Sequence, residues 1–327
     1  MLTRCRLLLI SVTFFGILTS TVMAVAQESS PALAWKKVST IGAPSARSAP
    51  AMAFDPATKT IILFGGYDGV HRSDTWSFDG KTWTLLNPPL SPPARAAANM
   101  ALDVPSGRLI MFGGFDGQNY LGDTWIWDGS SSRWLQAHPK HSPPAATEPM
   151  VFTDPLNGHA TVYGGYANPF YQLQTWQWTG TDWRNMNPAH SPSARSGSVV
   201  ALDPIRKQVV LFAGLADVNP DNTWTWNGSD WTEQSPATQP PNRYDASGAF
   251  EPHLGAVVAF GGGEGGIDMN DTWEWTGSNW VQLTPLSAPA PRESFGMAYF
   301  PRIQKVVVFG GASGSSLLAD TWVLGPA

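Results

Sequence analysis

One pattern recurs through almost the whole chain and limits what it can fold into. An apolar run ending in an aromatic and two small residues occurs six times. The copies are Leu63-Phe64-Gly65-Gly66, Met111-Phe112-Gly113-Gly114, Val162-Tyr163-Gly164-Gly165, Leu211-Phe212-Ala213-Gly214, Ala259-Phe260-Gly261-Gly262 and Val308-Phe309-Gly310-Gly311. Each is followed at near-constant distance by Thr-Trp, at Trp76, Trp125, Trp176, Trp224, Trp273 and Trp322. The period is about fifty residues, which suits one small sheet per copy rather than one domain. A unit of that size cannot bury its own apolar faces, so the copies must stack on one another.

A second tryptophan follows in five copies, at Trp83, Trp134, Trp183, Trp231 and Trp280. The sixth copy stops at Leu324 before reaching its own. Trp35, in Ala34-Trp35-Lys36-Lys37-Val38, has the same setting at the opposite end of the chain. The N-terminus therefore supplies the strand that the C-terminus omits, and the stack closes into a ring that protects its strand edges. Composition agrees: 32 Gly and 28 Pro leave little room for long helices, and 43% hydrophobic residues make disorder untenable. The formal charge of −5 carries no basic footprint for nucleic acid.

The glycine doublet after an apolar strand, the paired aromatic positions and the period resemble the kelch repeat, of the kind found in the central domain of galactose oxidase. That resemblance implies an all-β fold: a six-bladed β-propeller of four-stranded antiparallel blades, closed by an N-terminal strand in the last blade. The repeats fall at about 44–88, 92–139, 143–188, 192–236, 240–285 and 289–324, with the closing strand at 34–38, in one domain over 27–327. Residues 1–26 read as a signal peptide: Arg4 and Arg6, the apolar run from Leu7 to Leu18, then Ala24-Val25-Ala26 before Gln27. Such a chain is expected to be secreted or periplasmic, with no membrane span once the signal is removed, and monomeric. The only cysteine, Cys5, leaves with the signal, so no disulfide supports the core.

In the second repeat, strands are expected at about 96–102, 109–112 and 124–127, with a fourth from Trp134. Short turns such as residues 103–108 lie on one face of the ring. Long irregular loops between second and third strands, at 67–73, 115–122, 166–173, 215–220, 263–270 and 312–319, lie on the other. Loops of that kind on a rigid scaffold commonly carry binding.

Three sets of candidate residues enter that face. Arg47, Arg95, Arg195, Arg243 and Arg292 form a column that repeat three breaks with Ala146. By the kelch resemblance they would face the channel mouth as a cationic ring able to fork an acidic ligand; the alternative is that each braces its own loop through backbone carbonyls. Two positions further on stand Ala49, Ala97, Glu148, Gly197, Asp245 and Ser294, placed by strand alternation on the arginine side. Glu148 and Asp245, with neighbouring Glu293 and Tyr244, are the candidate acid/base groups, or else ordinary solvated or arginine-paired acids. The loop aromatics Tyr67, Phe115, Tyr120, Tyr166, Phe170 and Tyr171 stand outside the repeat and are candidate ligand contacts.

Other motifs fail. Residues 261–266 match G-x-G-x-x-G, but no helix follows. His138 and His141 have no further metal-ligand cluster, so no metal and no cofactor is expected. The copper-radical chemistry of galactose oxidase needs a cysteine that the mature chain lacks. The expected function is a protein- or glycan-binding module acting through the long-loop face. The alternative is an enzyme on acidic sugars, resembling kelch sialic-acid mutarotases.

Overall fold

The computed structural model describes residues 33–218 and 221–327; the signal-peptide expectation lies outside them. The described residues form six four-stranded antiparallel sheets. The second is representative: Asn99–Asp103, Arg108–Phe112, Thr124–Asp128 and Arg133–Ala137, each strand bonded to the next. The sixth combines Gly296–Phe300, Lys305–Phe309 and Thr321–Pro326 with Leu33–Val38, which pairs antiparallel along the last of these. This is the six-bladed propeller, closed as the position of Trp35 predicts. Among the described residues no helix is long and apolar enough to cross a membrane.

The apolar core is not at the centre of the ring. It is divided into six clusters, each shared by two adjacent blades. Ile62, Phe64, Met100, Met111 and Trp134 join the first and second, for example, while Leu63, Trp83, Phe300 and Phe309 join the first and last. Second strands such as Thr60–Phe64 are therefore apolar on both sides, because each side faces a different neighbour.

Polar atoms of the repeat stitch the same joints. In every blade the fourth-strand tryptophan donates its indole N–H to the Thr-Trp threonine of the preceding blade. Trp134 bonds Thr75 at 2.9 Å, Trp183 Thr124 at 2.8 Å, Trp231 Thr175 at 2.9 Å and Trp280 Thr223 at 2.9 Å. Trp35 to Thr272 at 3.1 Å and Trp83 to Thr321 at 3.0 Å complete the circle. All six are buried, so each threonine satisfies a donor that would otherwise be stranded.

The glycine doublets meet the backbone of the arginine-column segments. The second glycine donates its N–H to the carbonyl of the arginine-column residue in the next blade, as Gly66 does to Arg95 and Gly311 to Arg47, at 2.9 and 2.8 Å. At Gly65, φ is +65° and a Cβ would lie 2.5 Å from the Arg95 carbonyl oxygen. Only a residue without a side chain allows that approach in comfort. Blade four tolerates Ala213 at the equivalent place with φ +58°.

Candidate functional site

The arginine column is occupied inside the blades. All five side chains are at most 1% exposed. Arg47 donates Nη1 to the Gly65 carbonyl at 2.8 Å, and Nη1 and Nη2 to the Asp74 carboxylate at 2.7 and 2.9 Å. Arg95 with Asp123, Arg243 with Asp271 and Arg292 with Asp320 repeat the fork. Arg195 bonds the Ala213 carbonyl and Asn222 Oδ1. Each aspartate precedes Thr-Trp, and in these four blades it also accepts the indole N–H of the tryptophan two residues on. Burial pushes these carboxyls up, but the arginine and indole hydrogen bonds outweigh it and hold them below their ordinary value. The expectation of a cationic ring at the mouth is corrected accordingly: the guanidiniums brace the loops and present no free fork to a ligand. Blade three lacks both partners. Ala146 stands for the arginine, and Gln174 stands for the aspartate while still accepting from Trp176 at 3.1 Å.

The residues two beyond the column are not in strands. Ala49, Ala97, Glu148, Gly197, Asp245 and Ser294 all have φ between 50° and 59°, the left-handed region. The first strand of blade two consequently starts at Asn99, three residues later than alternation suggested. Their backbones are hydrogen-bonded in succession around the axis at every step but the one from Glu148 to Gly197. Ala97 N–H bonds Ala49 O at 2.9 Å, Glu148 N–H bonds Ala97 O at 2.8 Å, Asp245 N–H bonds Gly197 O at 2.8 Å, and Ser294 N–H bonds Asp245 O at 2.9 Å. Ala49 N–H returns to Ser294 O at 2.6 Å. Glu148 and Asp245 thus meet over Gly197. A Cβ there would stand 2.5 Å from Asp245 Oδ1 and 3.4 Å from Glu148 Oε2. The two carboxylates are within about 6 Å, close enough to oppose each other's ionisation.

Ser196 donates to Glu148 Oε2 at 2.8 Å and Ser294 to Asp245 Oδ2 at 2.9 Å. Burial and then the Asp245 charge raise Glu148 to about 7, against the Ser196 bond. Burial raises Asp245, with Ser294 opposing. Burial, Asp245 and Asp268 raise Glu293 to about 7. Tyr244 is raised by burial and by the Glu293 charge beside it. The charge at the mouth is carboxylate, the opposite of the sign the arginine column suggested.

The loop aromatics form a connected arc across blades one to three. Ring centroids are 5.2 Å apart for Tyr67 and His71, 5.8 Å for His71 and Phe115, and 5.3 Å for Phe115 and Tyr120. Tyr120 to Tyr166 at 5.9 Å and Tyr166 to Tyr171 at 4.9 Å continue it. Phe170 stands at the far end, 69% exposed. His71 is the member that sequence reading missed; it lies inside a recognised loop but outside any aromatic tally. Parts of three of the loops are ordered as hairpins: Tyr166–Ala167 with Phe170–Tyr171, Gly263–Glu264 with Ile267–Asp268, and Ala312–Ser313 with Ser316–Leu317. Bridges such as Ser48 to Tyr67 and Ala96 to Phe115 tie the loops beside the mouth.

Fold and site together define a closed six-bladed propeller with an acidic mouth and an aromatic arc on its long-loop face. A family model, the KLHDC2/KLHL20/DRC7 Kelch-repeats domain, matches residues 23–214. The chain belongs to the kelch-repeat family. No curated protein matches it.

Proposed function

We propose that the chain is an exported protein-binding module whose long-loop face grips an apolar, basic segment of its partner. The aromatic arc from Tyr67 to Tyr171 carries this reading. Six rings in continuous contact, with exposed Val70, Phe170 and Leu173 around them, make an apolar surface larger than scattered residues would. Kelch propellers commonly mediate protein interactions, and aromatic clusters supply the contact area such interfaces depend on.

Charge favours a basic partner over an acidic one. The long loops carry Asp68, Asp116, Asp217, Glu264 and Asp268, against His71 and an Arg72 already bonded to Asp68 at 2.7 Å. Sugar-acid enzymology draws no support from the mouth, because carboxylates there would repel the substrate and the arginines are engaged elsewhere.

The test is selection of displayed peptides on the purified protein, repeated on a Phe115→Ser/Tyr166→Ser variant. Aromatic or aliphatic peptides with flanking Lys or Arg are expected, and the variant should lose them. Enrichment of acidic peptides, retention by the variant, or binding confined to a glycan array would refute the reading. Export is tested separately by the N-terminus of the mature protein, expected at Gln27.

A further inference from the structure

Behind the acidic mouth the six innermost strands enclose a cavity of about 580 Å³ along the axis of the ring. Its wall is apolar, with half-buried Phe54, Leu102, Val200, Leu202, Phe250 and Tyr299. These residues line the axis, and each also packs on the inner edge of an inter-blade cluster, as Phe54 does against Phe300 with ring centroids 5.9 Å apart. At its long-loop end the same cavity is bordered by Glu148 and Asp245, whose side chains project from the left-handed ring.

We propose that this channel is a binding site for an alkylammonium ligand, a protonated primary amine on an unbranched apolar stem. The ammonium sits between Glu148 and Asp245, and the stem lies in the channel. An ammonium has three donors and no acceptor. It matches two carboxylates that each keep one oxygen, Glu148 Oε1 and Asp245 Oδ1, outside the Ser196 and Ser294 hydrogen bonds and able to accept. The charges acting on Glu148 are those of Asp245 and Glu293, and those acting on Glu293 are those of Asp245 and Asp268. Burial and then these charges raise Glu148 and Glu293, burial raises Asp245, and a bound ammonium offsets the mutual repulsion of the carboxylates. The stem removes apolar surface from water on both itself and the wall, a gain that grows with each methylene. This site is separate from the aromatic arc and does not depend on what that surface binds.

Isothermal titration of the full chain with n-hexylamine, ethylamine and 1-hexanol tests the proposal. Hexylamine should bind at least tenfold more tightly than hexanol, which lacks the charge, and than ethylamine, which lacks the stem. A Glu148→Gln/Asp245→Asn variant should lose tenfold or more for hexylamine while hexanol binding is unchanged. Asn accepts the left-handed backbone at position 245, and circular dichroism checks the fold of the variant. Hexylamine affinity should rise from pH 5.5 to 8.5, because the carboxyls give up protons in that range while the amine keeps its own. The Phe115→Ser/Tyr166→Ser variant should bind hexylamine as the parent does. Equal affinity for hexanol and hexylamine, an unchanged affinity in the carboxylate variant, or no saturable hexylamine binding at millimolar concentration would each overturn it.

Discussion

Removing Arg95 separates a structural brace from a ligand contact. The side chain is 1% exposed, and Arg95→Ala strips the fork from Asp123 and leaves the Gly113 and Pro93 carbonyls without their donor. Breaking a buried ion pair costs about 3–5 kcal/mol. Asp123 keeps a quarter of its side chain in solvent, which puts the loss at the low end, about 3 kcal/mol. Blade three already shows how to live without the arginine, since Ala146 and Gln174 occur there together and Gln174 still serves Trp176. Arg95→Ala/Asp123→Gln copies that arrangement into blade two. It removes the stranded carboxylate and should recover about 1–2 kcal/mol of the loss, a coupling typical of residues in contact. Urea unfolding followed by tryptophan fluorescence at neutral pH, with all four members of the cycle, measures it. A single variant as stable as the parent, or a double variant no more stable than Arg95→Ala, would refute the brace.

Three further outcomes follow from other parts of the ring. Thr175→Val leaves the Trp231 indole N–H without an acceptor in a buried joint and should cost about 1–3 kcal/mol in urea, while Thr175→Ser should cost much less. Trp35→Ala empties the closing strand's joint with blade five and should cost about 3–5 kcal/mol by the same assay; a loss below 1 kcal/mol would show that the closure contributes little. Glu148 has a raised carboxyl, so the folded state holds its proton more tightly than the unfolded chain does. Stability from this group is present below its ordinary value of 4.5 and is lost as pH rises toward about 7. Glu148→Gln should therefore match the parent at pH 4 and exceed it at pH 8 by about 1–2 kcal/mol, discounted for the solvent its side chain meets. An equal gain at both pH values would rule out ionisation as the cause.

The ring itself was legible because its signals are periodic. Six copies of one spacing fix blade number, and Trp35 was recognisable because the sixth copy lacked its partner. The arginine brace was also written in the chain: four of the five repeats with the arginine have Asp before Thr-Trp, the fifth has Asn222 as acceptor, and the repeat without the arginine has Gln174. The joint change at Ala146 and Gln174 links two positions nearly thirty residues apart, and reading each column alone conceals it. The left-handed ring was not legible. Its residues are Ala, Ala, Glu, Gly, Asp and Ser, and only the glycine advertises a positive φ. The backbone turns there because neighbouring blades bond to one another, which is a property of the closed ring and not of any local sequence. Treating those residues as strand therefore set Glu148 and Asp245 beside the arginines, when they face the axis and each other.

Closure by the first strand also sets a schedule. Trp35 and its acceptor Thr272 are 237 positions apart, and Leu33–Val38 pairs with Thr321–Pro326, at the far end of the sixth repeat. At the usual ribosomal pace of about 5–20 residues per second, the first strand waits roughly 15–60 seconds for its partner to exist. Through that interval the first blade keeps an unprotected flank, and the emerging chain holds a row of unpaired backbone groups that another molecule could capture. Whatever keeps this chain from premature association must act before Thr321–Pro326 is made, because only that strand removes the edge.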